Sequence, residues 1–160
     1  MTFIKLQGEA LAEIEPVTSG PAPDFELKDI NGKPVKASSL TKPLIISVFP
    51  DINTSVCSLQ TKQFNKAAAS HQELDFLSIS TNTPEEQKNW CAAEDVDMTI
   101  LSDTGAFGEA YGLLLKSGAL EGRLARSVFV VKAGEIVYAE VLEEITDEPD
   151  YEAALEAALA

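Results

Sequence analysis

Cys57 stands where an apolar run, Leu44-Ile45-Ile46-Ser47-Val48-Phe49, passes through a short turn into a segment that reads as a helix from about Thr54. A strand that turns into a helix is a common mount for a reactive group. In the first helical turn the backbone N–H groups lack intrahelical partners, and the helix dipole is positive there. Both effects favour a thiolate, the nucleophilic form of cysteine. Pro50 opens the turn; its ring fixes one backbone angle and removes one donor. Thr54 precedes Cys57 by three residues, so its hydroxyl can reach the sulfur or a substrate beside it. Taken singly, these residues have plainer readings: a buried apolar cysteine, a helix N-cap and a turn-forming proline. Their conjunction at one strand–turn–helix junction favours chemistry.

The second cysteine, Cys91, lies 34 residues further on, and the chain has no Cys-x-x-Cys. In a reducing compartment such a pair is either buried filler or redox-active. The wide spacing argues against a clustered zinc site and a thioredoxin-type dithiol. His71 is the sole histidine. Cys57 and His71 bracket one predicted helix, which at 1.5 Å per residue separates them by about 21 Å. A Cys–His dyad or a shared metal site is therefore excluded, and no metal or cofactor is expected.

The elements around this junction follow from the rest of the pattern. The alternation of Phe3, Ile4, Leu6, Leu11, Ile14 and Val17 predicts an N-terminal β-hairpin. Gly20-Pro21-Ala22-Pro23 punctuates the chain. A short strand over residues 25–30 turns at Asn31-Gly32 into a partner strand from Pro34. Residues 38–42 read as a connector. From Leu44 the order is strand, helix, strand, helix, strand, helix, strand hairpin and helix. The second helix starts with a capping box, Thr83-Pro84-Glu85-Glu86, and is expected to stop near Asp95. A strand is expected over residues 98–101, and a helix capped by Asp103-Thr104 runs through Phe107 and Tyr111 to Leu114. Two strands flank Ala133-Gly134, and Pro149-Asp150 opens the last helix. Alternating strands and helices imply an α/β fold with helices on the faces of a central mixed sheet.

The length, 160 residues, suits one domain over residues 1–160, and 45% hydrophobic residues suit a packed core. Twenty-six acidic against twelve basic residues give a net charge of −14. That argues against nucleic acid or an anionic membrane as partner. The N-terminus has no signal-peptide pattern, and no apolar run reaches membrane-spanning length. A cytoplasmic protein is expected.

Pro50-x-x-x-Thr54-x-x-Cys57 after an apolar strand resembles the active-site motif of peroxiredoxins. The fuller string Phe49-Pro50-Asp51-Ile52-Asn53-Thr54-Ser55-Val56-Cys57 resembles the thiol peroxidase subfamily, the bacterial atypical two-cysteine peroxiredoxins. Cys91 lies where that subfamily has its resolving cysteine. Leu124-Ala125-Arg126 before an apolar strand is similar to the segment with the active-site arginine, and residues 144–155 are similar to the family's C-terminal end. The likeness spans nearly the whole chain, with one departure: Asn53 stands where the family usually has Asp.

The resemblance implies a thioredoxin-like fold, reduction of hydrogen peroxide or organic hydroperoxides, and thioredoxin as reductant. It also implies a homodimer with a Cys57–Cys91 disulfide inside each subunit. In that reading Cys57 is peroxidatic and Cys91 resolving. Thr54 and the helix-start amides donate hydrogen bonds, and Arg126 adds a fixed positive charge. Of the two arginines, Arg126 is preferred over Arg123 because it directly precedes a strand, a more rigid mount than a loop. Cys57 begins one helix and Cys91 lies late in another, so disulfide formation requires local unwinding. Two other classes stay open: a thioredoxin-like binding or chaperone module without turnover, and a disulfide oxidoreductase acting on proteins.

Overall fold

The computed structural model describes residues 2–94 and 99–160. Two strands, β1 (Thr2–Leu6) and β2 (Glu9–Ile14), pair antiparallel as the expected N-terminal hairpin. Among the described residues, the other eight strands form one sheet. They are β3 (Gly20–Pro21), β4 (Glu26–Asp29), β5 (Pro34–Lys36), β6 (Leu44–Val48), β7 (Asp75–Ser80), β8 (Ile100–Ser102), β9 (Ser127–Lys132) and β10 (Glu135–Val141). Their spatial order is β3-β10-β9-β6-β7-β8-β4-β5. β6, β7 and β8 run parallel; β9 is antiparallel to β6, so the sheet is mixed as expected. The α-helices of the described residues are α1 (Ser55–Ser70), α2 (Pro84–Glu94), α3 (Ala106–Tyr111) and α4 (Tyr151–Leu159).

The near-continuous apolar run of β6 is explained by its place. All five residues are buried, because both faces of the strand are covered. Ile45 faces α1 and α4, among Phe64, Val128, Ala154 and Ala158. Phe64 meets Tyr151 edge-on at 5.2 Å between ring centres. The complete burial of Phe64 stabilises the helix–sheet contact by about 1.5–3 kcal/mol. Leu44, Ile46 and Val48 face the other way, into a larger core with Phe25, Phe107, Tyr111 and Phe129. The hairpin adds Ile4, Leu11 and Ile14 to that core. Strand β6 is thus clamped on both sides, which fixes the turn that leaves its C-terminal end.

The caps of α2 and α4 follow the expected chemistry. Thr83 Oγ1 accepts from the Glu86 amide at 3.1 Å, and Glu86 Oε1 accepts from the Thr83 amide at 2.9 Å. Asp150 accepts from the Ala153 amide at 3.1 Å. Three expectations needed revision. Residues 37–39 form one 3-10 turn that overlaps the start of the expected connector. Gly20–Pro21 is an edge strand on β10 rather than simple punctuation. The third helix ends at Tyr111, short of Leu114. Gly112 there is left-handed at φ 69° and lies so close to the Glu15 carbonyl that a Cβ would collide with it. The expected end of the second helix near Asp95 and the start of the next strand at Met98 lie outside the described residues.

Candidate active site

The turn from β6 to α1 presents Cys57 as the third residue of α1, with Thr54 at the N-cap position. The first helical hydrogen bond runs from the Ser58 amide to the Thr54 carbonyl, at 3.0 Å. The amides of Ser55, Val56 and Cys57 therefore precede the helical ladder and sit at its positive end. Thr54 makes no side-chain cap; its hydroxyl donates to the Asp51 carbonyl at 2.9 Å. That bond braces the turn, and the residue remains exposed. Pro50 is buried between the strand end and the turn.

Arg126 immediately precedes β9, the strand beside β6, and reaches across to Cys57. Its Nη2 donates to Cys57 Sγ at 3.2 Å. Nη1 donates to Gln60 Oε1 at 2.7 Å, and Nε to the Ile145 carbonyl at 2.7 Å. Arg126 is only 2% exposed. A buried charge is costly unless its donors are satisfied, and here three acceptors meet three edges of one planar group. Cys57 is itself fully buried.

Gln60 was not singled out by sequence reasoning. It is fully buried one turn after Cys57, and its Nε2 donates to Ser47 Oγ at 2.8 Å and the Val48 carbonyl at 3.2 Å. It ties α1, β6 and Arg126 together. A signal was present: Cys57, Gln60, Thr61 and Phe64 form the inward stripe of α1, and a glutamine there must find buried partners.

Asn82 was missed as well. Its Oδ1 accepts from the Ile52 amide at 2.8 Å and from Ser80 Oγ at 2.9 Å, while Nδ2 donates to Asp51 Oδ1 at 3.0 Å. Asp51 also accepts from the Asn53 amide and lies 3.8 Å from Arg123 Nη2. Burial alone would raise the Asp51 carboxyl; hydrogen bonds from Asn82 and Asn53 and the Arg123 charge outweigh it and hold it below the usual range. Arg123 thus braces the loop, whereas Arg126 touches the sulfur. Asn53 is exposed and bonds to Asp51.

Cys91, 8% exposed, belongs to the same buried cluster as Cys57, with Phe49, Ile52, Trp90 and Ile100. Polar links join its helix, α2, to α1. Trp90 Nε1 donates to Ser58 Oγ at 3.2 Å, and Lys62 pairs with Glu94 at 2.7 Å. The inward face of α2 is short: Gln87, Trp90 and Cys91. Gln87 Nε2 donates to Ser80 Oγ and the Leu101 carbonyl, while its Oε1 has no hydrogen-bond partner among the described residues. His71 is the C-cap of α1, far from Cys57 along the helix, and bonds to Glu73.

Among the described residues, no group of three His, Cys, Asp or Glu side chains is placed to hold a metal ion. None of their helices is long and apolar enough to cross a membrane. A cleft of about 400 Å³ over Leu44, Ile46 and Tyr111 opens at the far end of β6, away from Cys57.

Comparison with known proteins agrees with this fold. The Redoxin family model matches residues 18–155. A protein named thiol peroxidase from Listeria monocytogenes is 54% identical over 121 residues, 73% of this chain and 72% of its own. A thiol peroxidase from Helicobacter pylori is 40% identical over 158 residues, 94% of this chain and 91% of its own. Among solved structures, a peroxiredoxin-like protein from Aquifex aeolicus superposes with a TM-score of 0.89 at 27% identity, covering 99% of this chain and 96% of its own. A fold built on a mixed sheet with a strand–turn–helix cysteine and matched along nearly its whole length leaves one assignment: the chain belongs to the redoxin family and, within it, to the thiol peroxidases.

Proposed function

We propose that this protein reduces hydrogen peroxide and organic hydroperoxides with Cys57 as the attacking thiolate. The observation that carries the proposal is the 3.2 Å contact between Arg126 Nη2 and Cys57 Sγ at the start of α1. Sulfur attacks one peroxide oxygen; the O–O bond breaks, and Cys57 becomes a sulfenic acid. The departing oxygen leaves as alkoxide or hydroxide and takes a proton to give alcohol or water. Arg126 and the amides at the helix start face the charge that grows during this step. Thr54 shapes the turn, and its hydroxyl turns from the Asp51 carbonyl toward substrate. Because Cys57 is fully buried, a peroxide reaches it only after a local opening of the turn.

Cys91 then attacks the sulfenic sulfur. A disulfide forms inside the chain and water leaves. The shared apolar cluster supports this pairing, and the short inward face of α2 supports a route for Cys91 to approach. The reductant supported by the family resemblance is thioredoxin, whose dithiol is oxidised as the Cys57–Cys91 disulfide returns to two thiols. The same resemblance supports a homodimer, and dependence on reduced thiols fits the cytoplasm.

The Cys91→Ser variant tests the division of labour. Its first turnover with peroxide should run at the wild-type rate, because Arg126 and Cys57 are untouched. Its second should stall, with a sulfenic acid on Cys57 that a dimedone adduct reports by mass. Sustained thioredoxin-dependent turnover in that variant would remove Cys91 as resolver. Trp90, in the same cluster, should change fluorescence on the first turnover of the wild type only after the disulfide closes.

A further inference from the structure

The N-terminal hairpin stands outside the main sheet, and nothing in the chemistry above requires it. Its turn is nonetheless strained in a specific way. Gln7 has φ 52° and Gly8 φ 83°, both left-handed, and a non-glycine residue seldom holds that geometry. Two successive left-handed amides point to one side and form a concavity suited to an anion. Glu144 fills it. Its Oε1 accepts from the Gly8 amide at 2.7 Å and its Oε2 from the Gln7 amide at 3.1 Å. Oε2 also accepts from the Thr146 hydroxyl at 2.8 Å and the Thr146 amide at 3.2 Å. Glu144 therefore bonds the hairpin turn to the segment that follows β10.

That segment holds the third partner of Arg126. The Ile145 amide donates to the Lys5 carbonyl at 2.9 Å, and the Lys5 amide donates to the Glu143 carbonyl. The Ile145 carbonyl, in the same stretch of backbone, accepts from Arg126 Nε. Moving this carbonyl rotates the guanidinium about its bond to Gln60 and swings Nη2 off the sulfur. We propose that Glu144 is a positioning residue for the reaction: by clasping the Gln7–Gly8 turn it fixes the Ile145 carbonyl, which aims Arg126 at Cys57. The N-terminal hairpin is thus part of the apparatus of the site although it lies outside the sheet that carries it. This inference rests on the peroxidase reading for its meaning, but not for its measurement.

The carboxyl of Glu144 is held at about 2, first by the Thr146 hydroxyl and then by the Gly8 amide, so it stays ionised throughout the pH range of an assay. The test compares wild type with Glu144→Gln, Thr146→Val, Arg126→Met and the Glu144→Gln/Arg126→Met double variant, all as reduced full-length protein. Two rates are followed against pH: alkylation of Cys57 by iodoacetamide, and single-turnover reaction with hydrogen peroxide. Glu144→Gln removes a negative charge. Through-space electrostatics alone would move the midpoint of the alkylation profile down. Loss of Arg126 positioning moves it up. We expect an upward shift of about half a unit to one unit and a peroxide rate at pH 7 lower by about three- to tenfold. Thr146→Val, which removes one donor from the clasp, should shift the same way by less. In the Arg126→Met background, Glu144→Gln should add no further upward shift.

A downward or absent shift in both single variants overturns the proposal. So does an equal upward shift with and without Arg126, which would place the effect elsewhere. Circular dichroism and thermal melting keep a folding defect from passing as either result; if Glu144→Gln does not fold, Thr146→Val decides. If wild type ignores peroxide, the peroxidase reading fails, and the alkylation profiles still decide the role of Glu144.

Discussion

Arg126→Met should lower the second-order rate with peroxide by about 10²–10³-fold, the loss typical of removing one preorganised donor from a developing oxyanion. Methionine keeps much of the stem but carries no charge. The variant strips Cys57 Sγ of its 3.2 Å donor and leaves no cation for the departing oxygen. It also leaves Gln60 Oε1 and the Ile145 carbonyl without their 2.7 Å donors in a buried setting. Each unsatisfied group costs about 1–3 kcal/mol, so a lower melting temperature accompanies the kinetic loss. The two effects separate by assay at a temperature where the variant is folded. Arg126→Lys is the sharper control: one ammonium cannot serve three acceptors in a fork, and it should recover charge without recovering the rate. A stopped-flow measurement of peroxide reaction for the three proteins checks this. A wild-type rate in folded Arg126→Met would remove Arg126 from the chemistry.

Cys57→Ser should reduce peroxide consumption to the uncatalysed background. A hydroxyl at this site has neither the acidity nor the nucleophilicity of the thiol. The substitution removes one polarizable atom from a cluster of Phe49, Ile52, Trp90 and Ile100 and keeps the shape, so the fold should survive. Cys91 does not take over the task. It sits late in α2, where the dipole disfavours an anion, and Arg126 directs its donors to Cys57, Gln60 and Ile145 instead. Peroxide consumption by Cys57→Ser above background, with Cys91 oxidised, would reverse the assignment of the two cysteines.

Much of this arrangement is legible in the amino-acid sequence. The apolar run of β6, the turn opened by Pro50, the helix start at Thr54 and the capping box at Thr83 each obey a local rule, and each stands where expected. The contacts that aim the arginine are not legible in it. Arg126 and Cys57 are 69 positions apart, and their meeting depends on β9 lying beside β6, which topology decides and periodicity does not. Gln60 was hidden for a different reason. A glutamine within an amphipathic helix reads as surface until its neighbours on the inward stripe are counted. Asn82 follows a strand and reads as loop; only the folded chain shows it bonding the Asp51 turn to Ser80. The expected third helix ran too far because its stop at Gly112, set by close approach to Glu15, is a tertiary constraint.

The most direct measurement is a single-turnover titration of the reduced protein with hydrogen peroxide, read by intact mass and peptide mapping. One equivalent should consume both thiols and yield one Cys57–Cys91 disulfide within the chain, with a mass loss of two hydrogens. Unmodified Cys57 after that equivalent, in protein that remains folded, would contradict the assignment of Cys57 as the attacking thiolate.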